Sequence, residues 1–382
     1  MERLRLAPLV RGAYLAAGGR PVILRFDDAD RAELPTLDPG AAASGGDEAI
    51  GACFRNLLTS QRTAGSSLPA GVRIPGVGCF YAGHDADSAE AARRGEAGRL
   101  HIGGERGRGD VVRGRIALVT GGAQGFGAEI ARGLADAGAF VIVADINAEG
   151  AEAFAAELNA GGVRRAAAAA VDVSDEDSVR ALAGAAAGEA GGLDLLVSNA
   201  GVLRAGSVLE LEARDFDFVT RINYSAFFLV VKHLAPLMIR QRAAAPRWTS
   251  DIVQINSKSG LAGSNKNAAY AGGKFGGIGL VQSFAMELVD YGIKVNAVCP
   301  GNFFDGPLWS DPEKGLFVQY LQAGKVPGAT SIADVKAFYE AKVPMGRGCG
   351  GEDVLKAIFY CVDQAYETGQ AVPVTGGQIM LK

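Results

Sequence analysis

The chain has 382 residues, 48% of them hydrophobic, and 38 lysines and arginines against 42 aspartates and glutamates give a formal net charge of −4. That is enough apolar material for one large folding unit and a smaller piece, and a weakly acidic balance argues against nucleic acid as a partner. Cys53, Cys79, Cys299, Cys349 and Cys361 are scattered without a CxxC pair, and His84, His101 and His233 are the only histidines, so neither a disulfide framework nor a bound metal is expected. Arg11 interrupts the apolar stretch near the N-terminus, and no run of about eighteen apolar residues is read, so a soluble cytoplasmic protein without membrane contact is expected.

The segment 1–110 carries the weakest pattern and is read as an N-terminal extension and linker. Pro21 to Phe26 and Gly51 to Leu58 are short strand-like or helix-like runs, separated by a stretch rich in Pro, Gly, Ala and Ser from Leu34 to Ala49. Gly71 to Gly83, followed by Asp87 to Arg99, predicts one strand, a turn and a helix. This patch resembles the C-terminal part of class II sugar-phosphate aldolases that are fused ahead of dehydrogenase domains. Such aldolases depend on clustered metal-binding histidines, whereas this region holds only His84 and His101, so the resemblance implies a remnant used for packing or assembly. Gly103 to Gly109 reads as a flexible charged linker.

From Arg115 the pattern becomes strand, glycine turn and helix, repeated, which predicts an α/β, Rossmann-type doubly wound parallel sheet over 111–382. Ile116 to Val119 is a buried-strand run leading into Thr120, then Gly121-Gly122-Ala123-Gln124-Gly125-Phe126-Gly127. Glycines at 121, 125 and 127 allow a tight turn and a close approach of pyrophosphate, and the helix to about Ala137 offers its positive end. The next strand, Phe140 to Ala144, ends in Asp145. A carboxylate there accepts hydrogen bonds from adenosine ribose hydroxyls and repels a 2′-phosphate, so NAD is expected over NADP.

A helix from Ala148 to about Ala160 leads to a strand from Ala166 to Val171, closed by Asp172 and Val173, which are placed to flank an adenine. Ser174 or Asp175 can cap the following helix. Another strand, Leu193 to Val197, ends at Ser198-Asn199-Ala200-Gly201, where Asn199 can pin neighbouring backbone and the small residues leave room for a cofactor. Polar residues and glycines thus gather at the carboxyl ends of successive strands, where open α/β sheets bind ligands.

The chemistry is expected between Ile252 and Lys274. An apolar strand, Ile252 to Ile255, runs into Asn256, Ser257, Lys258 and Ser259; Tyr270 follows thirteen positions after Ser257, and Lys274 four after Tyr270. If Tyr270 opens a helix, the (i, i+4) spacing sets the Lys274 ammonium beside the phenol and draws its pKa, ordinarily about 10, down toward neutrality. Gly272, Gly273, Gly276, Gly277 and Gly279 fall in that helix at about 1 kcal/mol each relative to Ala, and close helix approach is the expected return, with Gly273 and Gly277 on one face. The insertion from Pro300 to Pro344 has helix-compatible runs at 314–322 and 332–342 and suits a lid, with Phe303, Phe304, Leu308 and Trp309 as pocket walls. Lys258 and Lys266, then Lys314 and Arg347, are candidate phosphate ligands. A last strand, about Ala371 to Thr375, and Gly376-Gly377 complete the sheet.

TGGAQGFG, Asp145, Asp172, the SNAG at 198–201, Asn223, Ser257, the YAGGK at 270–274 and the CPG at 299–301 resemble, in order and spacing, the classical short-chain dehydrogenase/reductase family over about Val111 to Lys382. INSKSG, KFGGIGL, PMGRGC and VTGGQIM resemble more closely its sorbitol-6-phosphate 2-dehydrogenase branch. The resemblance implies that Tyr270 exchanges the proton with the alcohol or carbonyl oxygen while hydride moves at nicotinamide. It implies that Lys274 stabilises the phenolate and holds the nicotinamide ribose, that Ser257 positions the reacting oxygen, and that Asn223, within an apolar helix from Phe216 to Met238, holds a water linking Lys274 to solvent. It also places Gln124, Phe126, Pro300 and Gly301 in the cofactor site and pairs the helix after Tyr270 across a subunit boundary, implying a homodimer or homotetramer. The expected activity is NAD-dependent interconversion of sorbitol 6-phosphate and fructose 6-phosphate. An unphosphorylated polyol or a rhamnose-pathway product, or a bifunctional protein whose N-terminal segment binds a partner, are the alternatives.

Overall fold

The computed structural model describes residues 2–29, 31–62, 67–101, 110–313, 315–322, 324 and 326–380. The expected linker at 103–109 and Lys314 lie outside them.

The chain opens with α1 (Glu2–Gly18), β1 (Ile23–Asp27), α2 (Gly46–Ser60), β2 (Ser67–Pro69), β3 (Gly71–Ile74), β4 (Gly78–Gly83), α3 (Ala86–Arg93) and β5 (Arg99–His101). Strands β1, β4 and β3 form an antiparallel sheet, and β2 pairs with β5. The stretch 71–83 is therefore a hairpin and not the single strand expected, because Gly76 (φ 73°) and Gly78 (φ 130°) adopt turn conformations open to glycine. Asp85 caps α3 by accepting from Ser88 N at 2.7 Å.

The second part runs β6 (Ile116–Thr120), α4 (Gly125–Asp136), β7 (Phe140–Asp145), α5 (Ala148–Leu158), β8 (Ala166–Ala170), α6 (Glu176–Ala190), β9 (Leu195–Ser198), α7 (Ala213–Thr220), a π-turn at Arg221–Ser225, α8 (Ala226–Ala244) and β10 (Ser250–Ile255). It continues with α9 (Ala268–Leu288), β11 (Ile293–Pro300), α10 (Pro307–Ser310), α11 (Leu316–Gln322), α12 (Ile332–Glu340), α13 (Gly351–Asp363) and β12 (Ala371–Val374). The seven strands pair in parallel in the order β12-β11-β10-β9-β6-β7-β8, so the order reverses between β6 and β9 and opens a crevice at their carboxyl ends.

Alternation along the strands builds one core on each face. Leu118, Ile142, Leu196 and Ile252 pack with Val179, Leu234 and Val281 of α6, α8 and α9. Val119, Val141, Leu195 and Val253 pack with Ile130, Ala151 and Ile358 of α4, α5 and α13. The helix carrying Asn223 extends from Ala213 to Ala244, longer than expected and, by length and composition alone, apolar enough to cross a membrane. Val230, Leu234, Leu237 and Met238 place it in the core of the sheet.

Residues 2–101 are joined to this sheet by a buried ion pair that sequence reading passed over. Arg11, which merely breaks an apolar run in the sequence, is fully buried, as is Asp194 at the entrance to β9. Its guanidinium donates to both Asp194 oxygens at 2.9 and 2.7 Å and to Val22 O at 2.6 Å. Gln241 Nε2, Trp248 Nε1 and Ile116 N also donate to Asp194, at 2.8, 2.9 and 2.8 Å. Burial opposes the Asp194 charge, yet Arg11 and the backbone donor hold its carboxyl below the usual range. Helices α1 and α2 lie close on α8: a Cβ on Gly12 would meet Gln241 O at 2.2 Å, and one on Gly51 would meet Ala244 Cα at 2.9 Å.

Candidate active site

The glycine turn after β6 has the form its sequence demands. Gly121 (φ 62°) and Gly125 (φ 57°) sit in the left-handed region, and a Cβ on Gly127 would lie 1.9 Å from Gly121 O. Gln124 opens α4 without a side-chain cap bond, so the helix start is a place where first-turn N–H groups can meet an anion. Asn199 pins this turn as expected, donating through Nδ2 to Thr120 O and Gly121 O, both at 3.0 Å. Asn199 N and Ala200 N donate to Thr120 Oγ1 at 3.0 and 3.2 Å.

Asp145 ends β7, buried, with its oxygens accepting from Ala123 N and Asn147 N at 3.0 Å each, so the carboxylate is held toward the glycine turn. Asp172 accepts from Ser174 N and Oγ at 2.8 and 2.7 Å, Val173 is buried, and Asp175 is the residue that caps α6. Gly201 faces Asn223: a Cβ there would lie 3.3 Å from its Oδ1 and 3.8 Å from Lys274 Nζ. Pro300 closes β11, and Gly301 N donates to Val374 O at 2.8 Å. These residues, from five strands, thus converge on the carboxyl ends of the sheet. An uncapped helix start beside glycines, with a carboxylate one strand away, fits a dinucleotide.

Tyr270 is the third residue of α9, and the Ser257 side chain at the end of β10 lies near enough to its phenol to draw the phenol's pKa down. Lys274, one turn on, is buried; its Nζ donates to Ile255 O at 2.8 Å and lies 5.6 Å from the centre of the Tyr270 ring. Burial pushes the Lys274 ammonium down to about 8. Burial also pushes the Tyr270 phenol above its ordinary value, with the nearby Ser257 side chain working the other way. The expected drop is therefore not present: the ammonium is directed to a backbone carbonyl and sits over the ring.

Asn223 falls in the π-turn, buried, its amide exchanging two 2.8 Å hydrogen bonds with Val202 N and O. Such a single wide turn often marks a functional position. Asn256, which sequence reading noted only as a polar strand end, ties the site together. Its Nδ2 donates to Lys274 O at 3.0 Å and to Gln254 Oε1 at 2.8 Å, and Ser257 N donates to its Oδ1 at 2.9 Å.

The glycines of α9 find part of their return inside the chain. A Cβ on Gly273 would come to 3.2 Å from Asn223 Cβ, one on Gly276 to 2.8 Å from the Tyr224 ring, and one on Gly277 to 2.7 Å from Gln254 Nε2. Gly272 and Gly279 face no described atom within 4 Å.

The insertion has its own aromatic core of Phe304, Phe317, Val326, Val335 and Val343, with Trp309 between Phe317 and Tyr339. Phe304 and Trp309 therefore pack into the insertion's own core, Phe304 buried and Trp309 half-buried, where a pocket wall was expected. Leu308 is half exposed, and Phe303 instead stacks on Phe126 of the glycine turn. Of the proposed phosphate ligands, Lys258 is half-buried, its ammonium lowered by burial, with no side-chain partner among the described residues. Lys266 is exposed at φ 55°. Arg347 is already paired with Asp353 at 2.6 and 2.8 Å.

A family model for short chain dehydrogenases matches residues 115–309. The chain belongs to this family. It is 38% identical over 270 residues to sorbitol-6-phosphate 2-dehydrogenase of Escherichia coli K12, covering 70% of this chain and 99% of that protein. It is 40% identical over 229 residues to D-threitol dehydrogenase of Mycolicibacterium smegmatis, covering 59% of this chain and 85% of that protein. Sorbitol-6-phosphate 2-dehydrogenase SrlD from Erwinia amylovora superposes with a TM-score of 0.63 at 41% identity, over 69% of this chain and all of that one. The dehydrogenase is thus an alcohol or polyol oxidoreductase that takes a nicotinamide cofactor and a small-molecule substrate.

Proposed function

We propose that this dehydrogenase uses NAD and interconverts a polyol phosphate with a ketose phosphate, sorbitol 6-phosphate and fructose 6-phosphate being the first pair to assay. The observation that carries the reading is the convergence of Ser257, Tyr270 and Lys274 beside an uncapped glycine turn, in a chain 38% identical to the Escherichia coli enzyme of that name.

Bound NAD supplies the hydride acceptor. Ser257 hydrogen-bonds the substrate oxygen, and Tyr270 removes its proton during oxidation and returns it during reduction. Lys274 holds the nicotinamide ribose and stabilises the phenolate, with Asn223 fixing the water path behind it. Asp145 accepts from the adenosine ribose and repels a 2′-phosphate. Asp172 and Val173 border the adenine, Gly121 to Gly127 receive the pyrophosphate, and Ala200, Gly201, Pro300 and Gly301 leave space for nicotinamide.

Lys258, one residue from Ser257 and without a counterion among the described residues, is the phosphate ligand in this reading. The Mycolicibacterium relative, named for an unphosphorylated tetritol, favours the second reading, the same chemistry on a free polyol. A panel of polyols and their phosphates, followed by NADH absorbance, separates the two. Lys258→Ala should raise KM for the phosphorylated ketose much more than for the free sugar, and equal effects would remove Lys258 from the phosphate site.

The catalytic unit is taken as 111–382, with α1 bracing it through Arg11. The unpartnered Gly272 and Gly279 stripe of α9, with Phe275 and Met286 exposed along it, supports a homodimer or homotetramer. A monomeric elution mass at micromolar concentration would count against that assembly. A reducing cytoplasmic location suits five free cysteines.

A further inference from the structure

Among the described residues, a pair of stacked rings joins the lid to the glycine turn. Phe126, second residue of α4, and Phe303, three residues past the end of β11, stack with centroids 4.1 Å apart and planes 14° apart. Both rings are half-buried. Phe126 packs on the core beneath α4, whereas Phe303 is no part of the lid's own aromatic core, which holds together through Phe304, Trp309 and their neighbours.

The root from which Phe303 projects is fixed. Gly301 N donates to Val374 O at 2.8 Å, Asn302 N to Gln378 Oε1 at 3.2 Å, and Cys349 N, where the insertion returns, to Asn302 O at 2.8 Å. At the far side, Gly351 N donates to Glu129 Oε2 of α4 at 2.6 Å. The lid is therefore a self-cored unit on a pinned base, and Phe303 is the side chain at that base that reaches across to the turn where the dinucleotide pyrophosphate is placed. The ring lies against Gly306 at the start of the lid, where a Cβ would come to 2.4 Å from it, but stands outside the cluster of Phe304, Phe317 and their neighbours, and it stacks on Phe126.

We propose that Phe303 is a positioning residue that latches the cofactor: its stack on Phe126 joins lid to glycine turn over the dinucleotide cleft, and the rings must part before the cofactor leaves. This rests on the placement of NAD at the glycine turn proposed above. An aromatic pair of this geometry contributes enough beyond its buried area to slow release by about 2- to 13-fold.

The test is stopped-flow release of NADH from wild type, Phe303→Ala, Phe126→Ala, the double variant and Phe303→Tyr, with thermal melts as a control on folding. Release should be faster by that factor in each alanine variant, no faster in the double variant than in the quicker single one, and close to wild type in Phe303→Tyr, which keeps the ring. Unchanged or slower release in Phe303→Ala, or effects that multiply in the double variant, would overturn the latch. Failure of wild type to bind NADH at all is a different result, and it removes the cofactor reading on which the latch stands.

Discussion

Replacing Arg11 by methionine keeps most of the side-chain volume while removing the charge that neutralises Asp194. Both groups are fully buried, and the guanidinium meets both carboxylate oxygens at 2.7 and 2.9 Å. Breaking a buried pair from one side costs about 3–5 kcal/mol, because the remaining charge stays out of water. With an m-value of about 3 kcal/mol/M, the urea midpoint of Arg11→Met should fall by about 1–1.7 M.

The pH dependence has a definite sign. The Asp194 carboxyl is held below its ordinary value, so the stability it contributes is present above the unfolded pKa and is lost as pH falls through the folded one. Arg11→Met should therefore lose least, relative to wild type, in acid, and Arg11→Met/Asp194→Asn should recover much of the loss at neutral pH. The assay is urea unfolding followed by fluorescence of Trp248, which donates to Asp194, at neutral and acidic pH. A midpoint within a few tenths molar of wild type, or a double variant no better than the single, would refute the claim that residues 2–101 are fastened to the sheet through this pair.

Two further outcomes follow from the site. The Lys274 ammonium, pushed down to about 8 by burial, is present below that pH and lost above it, so kcat/KM for ketose reduction should decline above about pH 8. Lys274→Arg, if it retains activity, should carry that decline to higher pH, and an unmoved profile assigns it to another group. Asp145→Ala removes the charge that the proposed reading sets against a 2′-phosphate, so the ratio of kcat/KM with NAD to that with NADP should fall at least about tenfold. An unchanged ratio places the discrimination elsewhere.

Much of the second part was legible because its signals are local. Buried strands of β-branched residues, left-handed glycines at 121 and 125, and polar residues closing each strand follow from short-range rules, and the elements match them within a few residues. What escaped is long-range. Arg11 and Asp194 lie 183 positions apart, and neither neighbourhood announces a buried ion pair. The hairpin at 71–83 hid because its turn glycines sit among other glycines.

Phe304 and Trp309 were expected at a pocket because aromatics in an insertion suggest a wall, and only the fold shows that they supply a separate small core. The direction of the Tyr270 shift was likewise out of reach. Spacing places Lys274 near the phenol, but not whether its ammonium faces the hydroxyl or the carbonyl of Ile255.

The central claim, that Tyr270 transfers the proton in a nicotinamide-dependent reduction, is tested most directly by Tyr270→Phe assayed for fructose 6-phosphate reduction and NADH binding together. Loss of the hydroxyl should lower kcat by about 10²–10⁴-fold while NADH affinity stays within a few fold. A variant that keeps wild-type turnover would contradict the account.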